Sequence, residues 1–488
     1  MRVLLTRIAF TTGKDMTMKY VSTRGTSEPR PFLDTLFTGL ADDGGLFVPE
    51  LTPRFFPDTE LAGLRGLSYH EVAYHVLHKL MPDVPVTELW RMTSRAYDEA
   101  AFGGSIASLV TIDEADELFL LKLSEGPTFS FKDFGLRLLA ELFEYDLARR
   151  KETLTIVGAT SGDTGSAAEY ALAGRGNIRV VMLSPAEGGM SEFQRAQMYS
   201  LDAPNIVNLA VNAPFAKCQE IVKAIFMDAA FKKRYKISAI NSINWARIAA
   251  QAVYYIFAYV TLAEKIGATS IQFAVPSGNL GDLYAGWFAR RMGVPIERLI
   301  LATNENNMLA ELFRTGVYDV RRETVSTTSP SMDITEASNL ERLMYDLCGP
   351  NIVRALWGML RAGGSFNISG LRHHRKLTSS GIVAGTSTGT DRLETIRRMR
   401  NEHKILIDPH TADGVRVGRA LRISDVPLVC LETAHPVKFD GVMLDAVRET
   451  AARPEALEDL EERPRHFIRI EPDVDAVRRV IQEVRPDL

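Results

Sequence analysis

The chain has 488 residues, 46% hydrophobic and 24% charged, a composition that excludes a disordered chain and supplies a large core shared among roughly three domains. Acidic residues number 61 against 57 basic ones, a formal net charge of −4, which provides no electrostatic footprint for nucleic acid and no polyelectrolyte tail. Three cysteines, Cys218, Cys348 and Cys430, are far apart in the chain, so a disulfide framework or a Cys-type zinc site is not expected, and a reducing cytoplasm is.

The first residues carry Arg2, Arg7 and Lys14 and one acid, Asp15. Arg7 interrupts the apolar run and argues against a secretory signal. Residues 1–17 are expected to be a disordered extension, with Met1, Met16 and Met18 as alternative starts. Residues 18–108 read as a first, mainly helical unit. It is turn-rich at Arg24-Gly25 and Asp42-Asp43-Gly44-Gly45, then has apolar residues at helical spacing over 67–81 and a second helix continued by 96–101. Gly103-Gly104 marks its end.

Beyond 109 the pattern changes. Short β-rich runs at 153–157, 178–183, 271–275, 299–303, 382–384, 405–407 and 428–431 alternate with helical patterns such as 166–173. That alternation predicts βαβ units and a mostly parallel sheet covered on both faces, with ligands at the carboxyl ends of the strands. The apolar stretch 249–263 falls short of the about 20 residues that cross a bilayer and predicts a buried core helix. Residues 305–380 predict helices and loops forming an insertion on the outer surface, with the basic cluster 372–376 solvated.

Three loops have the composition for a phosphate-bearing, amine-reactive cofactor. In the first, Lys132 opens a long helix between Phe131 and Phe134. An amine in a partly apolar pocket loses stabilisation of its charge, and the neutral form is available for a Schiff base. The second, Pro276-Ser277-Gly278-Asn279-Leu280-Gly281-Asp282, joins a strand to a helix. Its glycines let backbone N–H groups turn inward, and the helix N-terminus favours an anion. It matches neither a dinucleotide fingerprint nor a Walker A loop. The third, Gly158 to Gly165, places Thr160, Ser161, Asp163 and Thr164 before a helix, which suits a carboxylate or phosphate on a second ligand. Taken singly, each loop also reads as a lysine beside core aromatics, a tight turn or a helix cap. Asn244 and Arg247 lie one turn apart beside the predicted core helix, where Arg247 has the fork geometry to clamp a phosphate or to pair with an acid. Thr433, after the last predicted strand, offers a neutral hydroxyl to a ring nitrogen; His435 reads as structural. The nine histidines form no metal-ligand spacing with carboxylates, and no metal is expected; His75 and His78 share one helix face and read as surface or core residues.

Together these loops resemble the threonine synthase family, in the longer form of fungi and many bacteria. The resemblance starts at Lys19-Tyr20-Val21-Ser22-Thr23-Arg24-Gly25, continues through Asp43-Gly44-Gly45-Leu46-Phe47-Val48-Pro49, Phe131-Lys132-Asp133-Phe134, the 160–165, 242–247 and 277–282 segments, and ends at 433–439, so that it spans nearly the whole chain. It implies an α/β, fold-type II pyridoxal-phosphate (tryptophan synthase β-like) core of two α/β subdomains with parallel sheets at 109–488, a small subdomain at about 150–240 and an insertion at about 305–380, after a family N-terminal domain at 18–108. It further implies pyridoxal 5'-phosphate held by Lys132 as a Schiff base, a cofactor-phosphate loop of Gly278, Asn279, Leu280, Gly281 and Asp282, and Thr433 at the pyridine nitrogen. Leu280 stands where the family often has Phe. Substrate-binding elements would be Thr160, Ser161, Asp163, Thr164, Asn244 and Arg247. The implied reaction converts O-phospho-L-homoserine and water to L-threonine and phosphate, in a cytoplasmic monomer or homodimer that binds a small molecule and neither nucleic acid nor membrane. Two rivals are another fold-type II enzyme, such as a threonine dehydratase or a cysteine-synthase-like β-replacement enzyme, and a non-catalytic threonine-synthase-like ligand-binding protein. The N-terminal unit and the 160–165 loop weigh against the first, and the intact Lys132 against the second.

Overall fold

The strands between Leu109 and Glu432 are apolar on both faces because helices cover both faces of the sheet they build. In the computed structural model, which describes residues 18–160, 162–188 and 190–483, they form a six-stranded sheet. Its spatial order is Ile382–Thr386, Ile296–Thr303, Ile271–Pro276, Leu428–Glu432, Leu118–Lys122 and Leu109–Asp113. All pairings are parallel except that of the last two strands. Every residue of Ile271–Pro276 and Leu428–Glu432 is buried. A second sheet, wholly parallel, orders Ile468–Ile470, Ile206–Val211, Ile178–Pro185, Leu154–Ala159 and Ile237–Ser238. The extension 1–17 and Ser161 lie outside the described residues.

The predicted core helix is Trp245–Lys265. Asn244 caps it, its side-chain oxygen accepting from the Ala246 N–H at 3.0 Å. Its most apolar 18-residue window is 89% buried: it packs against the helices Lys132–Arg150, Gly281–Arg291 and Tyr69–Leu80, so its apolar length is consumed inside the protein. The N-terminal unit docks on this helix. The Tyr20 hydroxyl donates to Leu80 O at 2.5 Å and accepts from Trp245 Nε1 at 3.1 Å, the partners a buried tyrosine and tryptophan need.

Three segments depart from the sequence reading. Residues 96–101 do not prolong a helix: Val86–Ala96 ends at Tyr97, and Glu99–Phe102 is a separate 3₁₀ turn. Residues 405–407 form no strand. Ile407 is buried and Ile405 and Leu406 pack against the cluster that includes Ile300, Met399 and Val415; a short apolar run in a buried connector has the composition of a strand without a partner to pair with. Residues 305–380 are not confined to the surface. Arg342 is fully buried and donates to Phe47 O and Ile243 O, while Arg24 pairs with Glu341 at 3.0 Å. The segment thus clasps the N-terminal unit to the start of the core helix. Arg342→Met strands both buried carbonyls, and charge-assisted bonds of this kind are worth about 1.5–3 kcal/mol. Urea unfolding should therefore show a loss of about 3 kcal/mol; a variant within about 0.5 kcal/mol of wild type would mean that water or neighbours replace the clasp.

Candidate active site

A cavity of about 230 Å³ lies where the strands Ile271–Pro276 and Leu428–Glu432 end, lined among others by Lys132, Arg247, Ser277, Gly281 and Thr433. A larger hollow of about 410 Å³ meets it at Thr164, behind the 160–165 loop. It lacks Lys132, Arg247 and the 277–282 turn, so the reactive groups converge on the smaller one.

Lys132 reaches this cavity because two loops are stitched together. Phe131 N–H donates to Thr433 O at 3.0 Å, and His435 N–H to Phe129 O at 3.1 Å. Phe129 holds a φ of +55° at that crossing. Lys132 is the first residue of the helix Lys132–Arg150, with its N–H on Ser130 Oγ at 3.3 Å. The Phe131 ring centroid lies 5.2 Å from its amine. Phe134 turns away into a cluster with Tyr69, Tyr97, Phe102 and Tyr254, so one aromatic and not two borders the amine. Burial pushes the Lys132 amine below the usual lysine range, Asp163 opposes this, and Lys438 and Arg247 add to it.

In the 276–282 turn the left-handed residue is Leu280, at φ +59°, and neither Gly278 nor Gly281 has a positive φ. The glycines are required by crowding: a Cβ on Gly278 would stand 2.8 Å from Ser331 O, and one on Gly281 3.2 Å from Asn339 Nδ2. Asn279 binds within the protein, its amide donating to Ser242 Oγ and accepting from Ser338 N–H at 2.5 Å. The Asp282 carboxyl accepts from Tyr254 and Tyr255 and is pushed up to about 6 by burial, against the pull of those hydroxyls. What this turn can give an anion is the N-terminus of the helix Gly281–Arg291, whose first N–H groups have no intrahelical acceptor, together with Ser277 Oγ, buried and unpartnered. Thr433 lines the cavity, and among the described residues its hydroxyl has no hydrogen-bond partner. An amine, an anion cradle and a free hydroxyl on one cavity fit pyridoxal phosphate. If the turn holds the phosphate, Gly278→Val should weaken cofactor retention about tenfold or more through overpacking against the Ser331 backbone, and Gly281→Val less so. Dialysis followed by absorbance reads this; wild-type retention in Gly278→Val would place the phosphate elsewhere.

The expected substrate residues divide. Thr164 lines the cavity. Thr160 does not: its Oγ1 accepts from Gly162 N–H at 3.1 Å and Gly165 N–H at 3.0 Å, holding its own loop. Asn244 is not among the lining residues either; its oxygen caps the core helix and its Nδ2 donates to Leu36 O at 2.8 Å. Asp163 is an ion-pair partner, with Lys132 at 3.3 Å and Lys438 at 3.0 Å. Burial works against its charge, but the two amines hold it well below the usual carboxylate range. Arg247 is 3% exposed and lines the cavity, and its Nε and Nη1 have no hydrogen-bond partner. Burial pushes it down to about 10. A buried guanidinium without a carboxylate is costly unless an anion arrives.

Other residues at the site escaped the sequence reading. His410 lines the cavity, its Nδ1 on Asp408 Oδ1 at 2.7 Å and its Nε2 accepting from Ser331 N–H at 3.1 Å. Ser331 and Met332 come from the 305–380 segment. The one local signal was Asp408-Pro409, an N-cap with proline at the first helical position, which foretells a helix start and not its neighbours. His435, read as structural, accepts from Val437 N–H at 3.2 Å through Nδ1.

The fold and this cavity define a pyridoxal-phosphate-dependent enzyme of fold-type II. Residues 108–355 match the family model for pyridoxal-phosphate dependent enzymes, 19–97 that for the threonine synthase N terminus, and 411–481 that for the threonine synthase C-terminal region. The threonine synthase of Methylobacillus glycogenes is 46% identical over 476 residues, which cover 96% of this chain and 100% of the relative. That of Corynebacterium glutamicum is 45% identical, covering 95% and 98%. The crystal structure of pyridoxal-phosphate-bound threonine synthase from Brucella melitensis superposes with a TM-score of 0.91 at 40% identity, covering 96% of this chain and 99% of that one. The chain belongs to the threonine synthase family; it is a pyridoxal-phosphate-dependent lyase.

Proposed function

We propose that the cavity converts O-phospho-L-homoserine and water to L-threonine and phosphate, with Lys132 as cofactor-holding and proton-transferring residue and Arg247 as the clamp on the substrate phosphate. The observation that carries this reading is the buried, unpartnered guanidinium of Arg247 opposite a buried lysine amine. A phosphorylated amino acid supplies the anion for the first and the Cα–H acid for the second.

Lys132, the 277–282 turn and Thr433 are the residues that would hold the cofactor, the first through its amine, the turn at its helix N-terminus and Thr433 through its hydroxyl. When bound there, pyridoxal phosphate supplies an electrophilic carbon for amines and a ring that draws electrons from the bonds at the substrate Cα. Lys132, whose burial disfavours its charged form, is the base that would remove the Cα proton. A Cβ proton is lost as phosphate departs from Cγ and one proton is delivered to Cγ, while water adds its hydroxyl at Cβ and its remaining proton ends on the released phosphate. Lys132 returns a proton to Cα, so atoms balance. Arg247 gains most when charge builds on the leaving oxygen, the kind of contact that raises kcat rather than only lowering KM. Thr164 holds a hydroxyl toward the substrate, and Thr160 keeps that loop in shape.

Purified cofactor-loaded enzyme given O-phospho-L-homoserine should release threonine and phosphate in equal amounts. Turnover of threonine or O-acetylserine in preference to it would overturn the reading. The same reading places the enzyme in the cytoplasm, in keeping with its widely spaced cysteines, as a monomer or homodimer; sedimentation at working concentration distinguishes the two states.

A further inference from the structure

Lys438 is a lysine with no exposed side-chain surface. It ends the short turn Pro436–Lys438, which follows the Thr433-Ala434-His435 segment tied to the Lys132 loop. Its amine donates to Asp163 Oδ1 at 3.0 Å, and the other oxygen of the same carboxylate takes Lys132 at 3.3 Å. Gln194 Nε2 also donates to Oδ1, at 3.0 Å, and Ser331 Oγ lies 3.5 Å from Oδ2. Lys438 is not among the residues that line the cofactor cavity; it meets the site by its contact with Asp163 and by the direct effect of its charge on Lys132.

A buried ion pair is weak evidence for stability, because well-packed apolar residues of similar volume serve as well or better. Here one carboxylate stands between two buried amines, with a third cation, Arg247, facing Lys132. A single carboxylate cannot neutralise both. Lys438 is the more enclosed amine and the closer to Asp163, and among the described residues Asp163 is the carboxylate within ion-pair distance of it. Asp133 faces it from the Lys132 helix, but the Asp133 carboxyl accepts from Thr128 N–H and Oγ1. His435, on its own turn, is pushed down to about 4, first by burial, so it stays neutral and adds no further positive charge. Asp282 and His410 line the cavity but are held by Tyr254, Tyr255 and Asp408.

We propose that Lys438 is a positioning residue for the reaction: by claiming the charge of Asp163 it leaves Lys132 as the amine that sheds its proton, and it fixes Asp163 against the wall of the site. The inference rests on Lys132 as the cofactor lysine, which borohydride labelling of the wild-type enzyme tests separately.

The sign of the effect follows from charge. Lys438⁺ disfavours a second proton nearby. Without it, the whole Asp163 carboxylate turns to Lys132 and favours the protonated form. Two holoenzyme measurements read this: the midpoint of the rising acid limb of kcat against pH, and the pH midpoint of the visible absorbance of the cofactor–lysine linkage. In Lys438→Gln, whose amide can still donate to Asp163, both midpoints should move up by about one pH unit or more, a tenfold change in proton affinity. In Lys438→Arg, which keeps the charge, both should stay within about 0.3 unit of wild type. Asp163→Asn should move them the other way, since Lys132 then loses its counter-charge while Lys438 remains; this variant decides the matter if Lys438→Gln does not fold. Unmoved midpoints in Lys438→Gln, with only a lower melting temperature, or an upward or absent shift in Asp163→Asn, overturn the proposal.

Discussion

Lys132→Ala is expected to lower kcat for O-phospho-L-homoserine by about ten-thousandfold, the upper range for loss of a positioned general base, and to abolish the visible band of the cofactor–lysine linkage. Two features of the site set that scale. The amine sits at the first position of a nineteen-residue helix, where the positive end of the helix dipole disfavours a cation, and burial acts in the same direction. Among the described residues no other lysine lines the cavity, and Lys438 is enclosed behind Asp163. Borohydride reduction of the wild-type enzyme followed by peptide mapping should place the pyridoxyl group on Lys132. A label on another lysine would refute the assignment, and so would a Lys132→Ala enzyme that keeps more than about a hundredth of wild-type kcat.

Arg247→Lys should reduce kcat/KM for the phosphorylated substrate roughly ten- to a hundredfold, the worth of a charge-assisted contact of about 1.5–3 kcal/mol, with the visible band of the bound cofactor unchanged. Lysine keeps a charge but lacks the planar fork and is more strongly hydrated. In the structure Nε and Nη1 of Arg247 are the unpartnered atoms, and those are the donors that a lysine cannot reproduce. The Asn244 amide is used by Ala246 N–H and Leu36 O, so the expected effect is assigned to Arg247 alone. The discriminating ligand is homoserine, which lacks the phosphate. Spectral titration should show homoserine binding equally well to variant and wild type. If Arg247→Lys weakens homoserine as much as the phosphorylated substrate, the residue supports the fold or the cofactor and not the leaving group.

Much of this was legible before any fold was known. Strands buried on both faces declare themselves as continuous apolar runs, as in Ile271–Pro276 and Leu428–Glu432, and their alternation with helices specifies a parallel α/β core. The 249–263 stretch announced a buried helix for the same reason: its apolar side chains leave no polar face for water. That Lys132 and the 277–282 turn belong together was readable because each stands at a strand-to-helix or loop-to-helix junction, and the fold brings both to one cavity.

What the sequence could not determine is which side chain meets which, since that is settled by long-range packing. Thr160 and Asn244 have the composition of ligand-binding residues, but neighbouring backbone N–H groups claim them. The left-handed residue of the 276–282 turn is Leu280 and not a glycine, while Gly278 and Gly281 are crowded by Ser331 and Asn339, from a segment that looked like a surface insertion. The partner of Asp163 lies 275 residues away at Lys438, a distance across which no periodicity or spacing carries information. Local pattern reports dihedral preference and burial; only the folded chain decides how charges buried by that pattern are paired.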